Sequence, residues 1–411
     1  MMRMTEGLVA GLALTLALAL AGASARGAED GGKEPNGFAP IFDGKTLAGW
    51  TQKNGEAKYA VEDGAIVGTA VPNTPNSFLC TEKTYGDFIL ELEFKVDEGL
   101  NSGVQIRSNS LKDYNNYRVH GYQVEIDPSP RAYSAGIYDE ARRGWLNDLS
   151  NNEPARKAFK AGDWNHLRIE AIGDRFRTWI NDVPAADLVD SMTLEGFVGL
   201  QVHGIGANQD MAGKQVRWRN LRIKDLGKRT WERLFDGKTL TGWHTMPGGQ
   251  WEVKDGVIVG TSAKSESRHG LLVTDKRYKD FTVRLKFRAV EGNSGLYFRV
   301  DPVEQAVGVN GFQAEIAPSG EIGGLYETGG RGWVVKPDPN LIEQRFRPED
   351  WNEMTVSAHG RRIVVHLNGA KTAELKDDPG RTEGHIALQM HGGQDMRVKF
   401  KDVEILSAPA K

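Results

Sequence analysis

Short runs in which apolar and polar residues alternate one for one recur along this chain. In Ile89-Leu90-Glu91-Leu92-Glu93-Phe94-Lys95, Leu90, Leu92 and Phe94 fall on one face and Glu91, Glu93 and Lys95 on the other. That is the period of a strand with one buried and one solvated face. Val283, Leu285 and Phe287 alternate in the same way with Arg284, Lys286 and Arg288. Segments 167–180 and 354–367 read as hairpins turning at Gly173-Asp174 and His359-Gly360. No recurrent helix of ten or more residues separates the strands, which argues against a parallel α/β sheet. The pattern predicts an all-β protein in which antiparallel sheets pack face to face as a jelly-roll sandwich.

The pattern occurs twice. Phe42-Asp43-Gly44-Lys45-Thr46-Leu47-Ala48-Gly49-Trp50 returns as Phe235-Asp236-Gly237-Lys238-Thr239-Leu240-Thr241-Gly242-Trp243 with one change. Asn101-Ser102-Gly103 returns as Asn293-Ser294-Gly295, Asp163-Trp164-Asn165 as Asp350-Trp351-Asn352, and Leu200-Gln201-Val202-His203-Gly204 as Leu388-Gln389-Met390-His391-Gly392. The spacing, about 190 residues, is the size of a whole domain and too long for a solenoid unit. Residues 38–227 and 228–408 therefore read as two homologous domains, joined so closely near Gly227 that they are expected to touch. The tryptophans of the opening motif and of Asp-Trp-Asn read as core residues.

A second class of strand carries a different polar face. In Gly121-Tyr122-Gln123-Val124-Glu125-Ile126-Asp127, Gln123, Glu125 and Asp127 oppose Tyr122, Val124 and Ile126; the second copy keeps Gln313 and Glu315. Gln105 and Arg107 alternate with Val104 and Ile106, and Tyr297 and Arg299 with Leu296 and Phe298. Gln201 and His203 flank Val202, as Gln389 and His391 flank Met390. These faces hold planar hydrogen-bonding groups rather than the Lys, Glu and Thr of a merely wet strand. Such groups beside aromatic rings suit polyhydroxylated ligands, whose hydroxyls need fixed partners while their C–H faces stack. Tyr138, Arg143 and Trp145, and Tyr326, Arg331 and Trp333, sit in matching loops that are expected to cover this face.

Bulk properties narrow the class. A net charge of -3 without a basic stripe gives no footprint for nucleic acid. The 49 glycines and 10 tryptophans fit a turn-rich β protein with aromatic surfaces. Residues 1–25 have the three parts of a signal peptide: basic Arg3, an apolar run from Leu8 to Ala23, and Ala23-Ser24-Ala25 as the cleavage site. The run is short for a membrane span, so a periplasmic or secreted protein without a membrane span is expected after cleavage. Residues 26–37 read as a disordered spacer, and the single cysteine, Cys80, as buried. There is no Gly-x-Ser-x-Gly elbow, Walker loop or His-Glu-x-x-His helix. A divalent cation held by carboxylates and carbonyls is compatible with the sequence but leaves no ligand spacing to recognise.

Taken together, the opening motif, Asn-Ser-Gly, Gly-Tyr-Gln-Val-Glu-Ile-Asp, Asp-Trp-Asn and Leu-Gln-x-His-Gly resemble the 3-keto-disaccharide hydrolase domain family over nearly all of both units. One departure is Gln before Glu on the central strand, where many members have Glu first. The resemblance implies two concanavalin-like β-jelly-roll sandwich domains in tandem, each with a sugar site on its concave sheet. It also implies cleavage of glycosides already oxidised at C3. A C3 ketone acidifies the C2 proton; a base removes it, the anomeric group leaves by β-elimination, and water adds, for net hydrolysis. This chemistry needs a base, an oxyanion stabiliser and a proton donor. Glu125 and Glu315 are the first candidates for the base, His203 and His391 the second, and Arg107, Arg143, Arg299 and Arg331 candidates for the stabiliser. Gln105, Gln123, Asp127, Tyr138, Trp145 and Gln201, with Tyr297, Gln313, Tyr326, Trp333 and Gln389, are expected to bind an oligosaccharide or glycoside substrate. The first unit adds Asp127, Glu140 and Arg142 where the second has Ala317, Thr328 and Gly330, and is expected to be the better catalyst. The alternative is a non-catalytic carbohydrate-binding tandem, since jelly rolls serve lectins and catalysts alike.

Overall fold

The computed structural model describes residues 36–317 and 320–406. The leader 1–25 and most of the spacer 26–37 lie outside them, as do the last residues of the second unit. Among the described residues no helix is long and apolar enough to cross a membrane.

Four antiparallel sheets form two sandwiches. In the first unit the sheet that carries Gln123 and Glu125, the one expected to be concave, runs in the order Gly144–Asn147, Ile137–Glu140, Val119–Ile126, Ser102–Ser110, Phe197–Val202, Ser77–Thr81, Trp50–Lys53. The opposing sheet has Asp87–Val96 and Gln215–Gly227 at its centre, and Ala39–Pro40 also pairs with the latter. The second unit repeats both orders strand for strand, from Trp231 to Leu406. Leu90, Leu92 and Phe94 meet Val104, Ile106, Tyr122, Val124 and Ile126 in one continuous core, and Val283, Leu285 and Phe287 do the same in the second unit. Two short helices, Glu153–Ala158 and Pro339–Arg345, are the only α-helices among the described residues; each starts on a side-chain cap, Asn152 and Asp338. The outer face of the first unit is not simply wet. Glu91 binds Arg168 and Arg222, Glu170 binds Arg168 and Arg177, and Glu93 binds Arg219.

The repeated motifs divide into turns, knots and core. Asp43 Oδ1 accepts from the Lys45 and Thr46 amides at 2.8 and 2.7 Å, an Asx turn reproduced by Asp236 with Lys238 and Thr239. Trp50 and Trp243 are buried, as expected, with each indole N–H donating to the Ile41 or Leu234 carbonyl. The tryptophan of Asp-Trp-Asn is a correction. Trp164 is half-buried under the Arg219 guanidinium, 3.9 Å from its ring centre, and Trp351 lies under Lys401 at 4.1 Å. The buried member is the asparagine. Asn165 Nδ2 donates to the Lys160 and Asp163 carbonyls, while its Oδ1 accepts from Lys160 N and Asn181 Nδ2. Asn352 ties the same knot with Arg347, Asp350 and Asn368.

The two units touch, as the short link predicts, through polar groups. Thr282 Oγ1 donates to buried Asp174 at 2.7 Å, Arg362 Nη1 to Asp187 at 2.6 Å, and Arg143 reaches the Gly369 carbonyl at 3.4 Å. Replacing Asn165 by alanine leaves several buried backbone groups without partners and is expected to cost about 3 kcal/mol. Chemical denaturation measures it; a loss below about 1 kcal/mol would contradict the role given to this asparagine.

Candidate active site

The centre of each concave sheet is built around a buried carboxyl. Strand register sets Glu125 across from Gly103, which in turn faces Gln201, and it aligns Gln105, Gln123 and Tyr138 in the next row. Directly opposed residues share a face, so these side chains converge. Gly103 is required by close approach: a Cβ there would lie 2.5 Å from the Gln123 side chain, and one on Gly295 2.4 Å from Gln313. Each member of Asn-Ser-Gly thus has its own task. Asn101 Nδ2 donates to Glu125 Oε1 at 2.6 Å, Ser102 Oγ donates to the Gln201 carbonyl, and Gly103 leaves room for the glutamine. Asn293, Ser294 and Gly295 repeat this around Glu315. Sequence reasoning missed the asparagines, although the echo of the tripeptide in both copies marked them.

Behind the carboxyl stands a chain of amides. Gln123 Nε2 donates to Glu125 Oε2 at 2.8 Å, Gln105 donates to Gln123, and Ser108 to Gln105 at 2.7 Å. In the second unit Gln313 donates both to Glu315 and to Gln389, and Gln389 to the Tyr297 hydroxyl. Tyr297 Oη lies 3.0 Å from Thr328 Oγ1. Gln201 differs from its counterpart. It is fully buried on the concave face, and neither atom of its amide has a partner.

Burial drives the electrostatics. It pushes the Glu315 carboxyl up to about 7, with Asn293 opposing and the nearby Glu321 adding to the rise. Glu125 is raised by burial and by Asp127, against the amides of Asn101 and Gln123 and the Arg131 charge. Glu140, on the same face as Tyr138, is also raised by burial, against Arg118, His203 and Asn76. Burial also works on Asp127, but hydrogen bonds from Ser129, Arg131 and Tyr133 outweigh it and hold its carboxyl low. Asp127, expected to bind substrate, spends both oxygens on the 128–134 loop.

The histidines are held in a defined tautomer. His203 Nδ1 lies 2.8 Å from the Gly204 carbonyl and His391 Nδ1 2.7 Å from that of Gly392; a carbonyl accepts, so each Nδ1 carries the hydrogen, and in the neutral ring the lone pair then falls on Nε2. His203 is exposed. In the second unit His269 packs 4.3 Å from the His391 ring, accepts from the Gly392 amide, and is pushed down to about 4 by burial and by His391. Aromatic walls complete both sites. Trp145 meets Tyr138 and Tyr133 edge to face, and Trp333 meets Tyr326 likewise. Glu315, Gln389, Tyr326, Trp333 and both histidines line a cleft of about 520 Å³. In the first unit an apolar plug of Phe78, Cys80, Val119 and Phe197 fills part of the concave face, and buries the single cysteine.

The four arginines are not brought to the carboxyls. Arg107 is fully buried, with its guanidinium donating to the Gly86 and Gly173 carbonyls and to Asp87. Arg299 is spent in the same way on Lys279, Gly360 and Arg381 carbonyls. The reason is a bulge. Both arginines adopt positive φ, 45° and 50°, where the strand register shifts, and this breaks the alternation that would have put them beside the glutamines. Arg143 binds Asp139 and Asp190, and Arg331 binds Glu327 and Asp378. Asp139 lies on the opposite face of its strand from Tyr138 and Glu140, so Arg143 follows it away from the site. The arginine that does approach Glu125 is Arg131, at 4.0 Å. Among the described residues no group of three or more His, Cys, Asp or Glu side chains is placed to hold a metal ion.

Fold and site together define a tandem of jelly rolls, each presenting a buried carboxyl, an amide relay and aromatic walls on its concave sheet. The chain belongs to the 3-keto-alpha-glucoside-1,2-lyase-like domain family, which matches residues 37–224 and again 230–406. It is 26% identical over 243 residues to a 3-keto-disaccharide hydrolase of Bacteroides thetaiotaomicron, covering 47% of this chain and 80% of that protein. It is 25% identical over 167 residues to the levanase of Bacillus subtilis, 40% of this chain but only 22% of the levanase. Among solved structures, a carbohydrate binding module of Bacillus subtilis aligns with a TM-score of 0.30 at 21% identity, over 42% of this chain and 94% of the module.

The raised Glu315 carboxyl makes a signed prediction. Between pH 4.5, its ordinary value, and about 7, the folded protein keeps a proton that the unfolded chain has released. Stability is therefore lost as pH rises through that window, and the full penalty is present above it. Glu315→Gln cannot ionise, so its stability relative to the parent should improve over the same window, by on the order of 2 kcal/mol. Denaturant unfolding across the range measures it; a gap that does not change with pH would contradict the assignment.

Proposed function

We propose that this protein is an exported enzyme that cleaves 3-keto glycosides, 3-keto-disaccharides above all, by C2 deprotonation, β-elimination and hydration. The observation that carries this reading is the buried carboxyl in each unit, clamped by asparagine and glutamine amides and raised towards the working range. A base for a C–H next to a ketone must be ionised at neutral pH yet basic enough to take the proton, and burial of Glu125 and Glu315 tunes them in that direction. The Nε2 lone pairs of His203 and His391 are the second candidates. Because Arg107, Arg143, Arg299 and Arg331 are engaged elsewhere, the donors left for the enediolate oxygen are amides and hydroxyls, of which Gln389 and Tyr297 line the cleft of the second unit. Trp145 and Trp333 offer faces for the sugar ring. Export rests on the leader, residues 1–25.

A non-catalytic sugar-binding role is the second reading. Thr328 in the second unit favours it there, since it stands where the first unit has Glu140.

Purified protein assayed on 3-keto-trehalose and 3-keto-lactose, with and without chelator, tests the proposal. Turnover is expected on these and not on the same disaccharides with an intact C3 hydroxyl. Comparable cleavage of the unoxidised sugars would contradict the reading, and saturable binding without turnover would select the binding tandem. Glu125→Gln keeps shape and much of the hydrogen bonding, and should lower kcat by roughly 100-fold, with Glu315→Gln doing less. Full activity in both variants would transfer the base to the histidines.

A further inference from the structure

The first unit contains a second acidic centre that the chemistry of deprotonation alone does not use. Glu140 is buried, with 7% of its surface exposed, and lies on the concave face one same-face position beyond Tyr138. Its carboxylate is 3.7 Å from the Arg118 guanidinium. Tyr138 sits across from Gln123, whose amide binds Glu125, so the Gln123–Tyr138 row links the two carboxyls along one face. Beyond Glu140 opens a cleft of about 510 Å³, to which Asn54, Asn76, Asn115, Asn116 and Arg118 contribute. Glu140 stands between this asparagine-rich cleft and the row that holds Glu125. The second unit lacks the arrangement. Thr328 occupies the Glu140 position, opposite Gly311 as Glu140 is opposite Gly121, and its hydroxyl pairs with Tyr297.

We propose that the asparagine-rich cleft of the first unit holds the departing sugar, a polyhydroxylated aglycone, and that Glu140 at its inner wall protonates the glycosidic oxygen as the C1–O bond breaks. This rests on the reaction proposed above. The step balances. The base takes the C2 proton, the C2–H electron pair becomes the C1=C2 double bond, and the C1–O pair goes to the leaving oxygen, which takes the Glu140 proton. Water then adds across C1=C2 and restores both proton inventories. Asn54 and Asn76 are tied to Tyr117, Val119, Gly204 and Glu140 and shape the wall, while Asn115, Asn116 and the Arg118 guanidinium offer the mixed donors and acceptors that sugar hydroxyls require, and a carboxyl disfavoured in its charged form by burial is suited to give up a proton. A threonine cannot serve as that acid, so disaccharides are processed in the first unit.

The test compares a poor and a good leaving group. Wild type and Glu140→Gln are assayed on 3-keto-trehalose and on 4-nitrophenyl 3-keto-α-glucoside, whose phenolate leaves without protonation. Glu140→Gln should lose about 100-fold in kcat on the disaccharide and less than about threefold on the aryl glycoside, and lose the alkaline limb of the disaccharide pH profile. Arg118→Ala should raise KM for the disaccharide more than for the aryl substrate. If Glu140→Gln slows both substrates equally, or neither, while wild type turns over both, the assignment of Glu140 is overturned alone. If wild type is inert on both, the reaction itself is misread, and the Glu140 assignment falls with it.

Discussion

A carboxyl buried on a sheet face must be given hydrogen bonds or lose its charge, and the architecture of both units follows from how that demand is met. Glu125 and Glu315 each receive one asparagine amide and one glutamine amide. The glutamine can lie flat against the sheet only because the facing strand has glycine at Gly103 or Gly295. The preceding serine binds the third strand through the Gln201 or Gln389 carbonyl. Three adjacent strands are thereby locked in one register around one acid. The amides satisfy the carboxyl incompletely, and burial dominates, so its proton is held more tightly than that of an exposed glutamate.

From this shared frame the copies diverge at the edge of the cup. The first unit places Glu140, Asn76 and Arg118 there and leaves the Gln201 amide open. The second places Thr328, Tyr297 and the His269–His391 pair, and carries its amide relay on to the Tyr297 hydroxyl. Two sites of one ancestry thus differ at one edge, where a carboxyl in the first faces a threonine in the second, and the second adds the paired imidazoles. The polar contact between the units, with Asp174 and Asp187 receiving Thr282 and Arg362, keeps the tandem together without borrowing either site's residues.

The sandwich and the converging glutamines and glutamates were legible because antiparallel strands with unlike faces write their orientation directly into alternation. Arg107 and Arg299 show where that reading stops. A bulge at a non-glycine residue leaves no mark in the sequence, so alternation runs one residue too far there, and a structural pin recurs in both copies as chemistry would. Arg143 and Arg331 failed for a related reason: a residue just past a short strand follows whichever neighbour holds it, here Asp139 and Glu327. Trp164 shows that aromatic bulk is no guide to burial, since the buried group is the small amide beside it. Conversely, Asn101, Asn76 and Arg131 act through loops whose path over the sheet depends on contacts far away in sequence.

The central claim is that a clamped carboxyl removes the proton from C2 of a sugar carrying a C3 ketone. The most direct measurement follows deuterium at C2 of a 3-keto-disaccharide during turnover. The account predicts a primary isotope effect on kcat or washout of the label into solvent, with either signal suppressed in Glu125→Gln. Cleavage at an unchanged rate, with deuterium fully retained in the recovered sugar, would show that the C2–H bond is never broken and would contradict it.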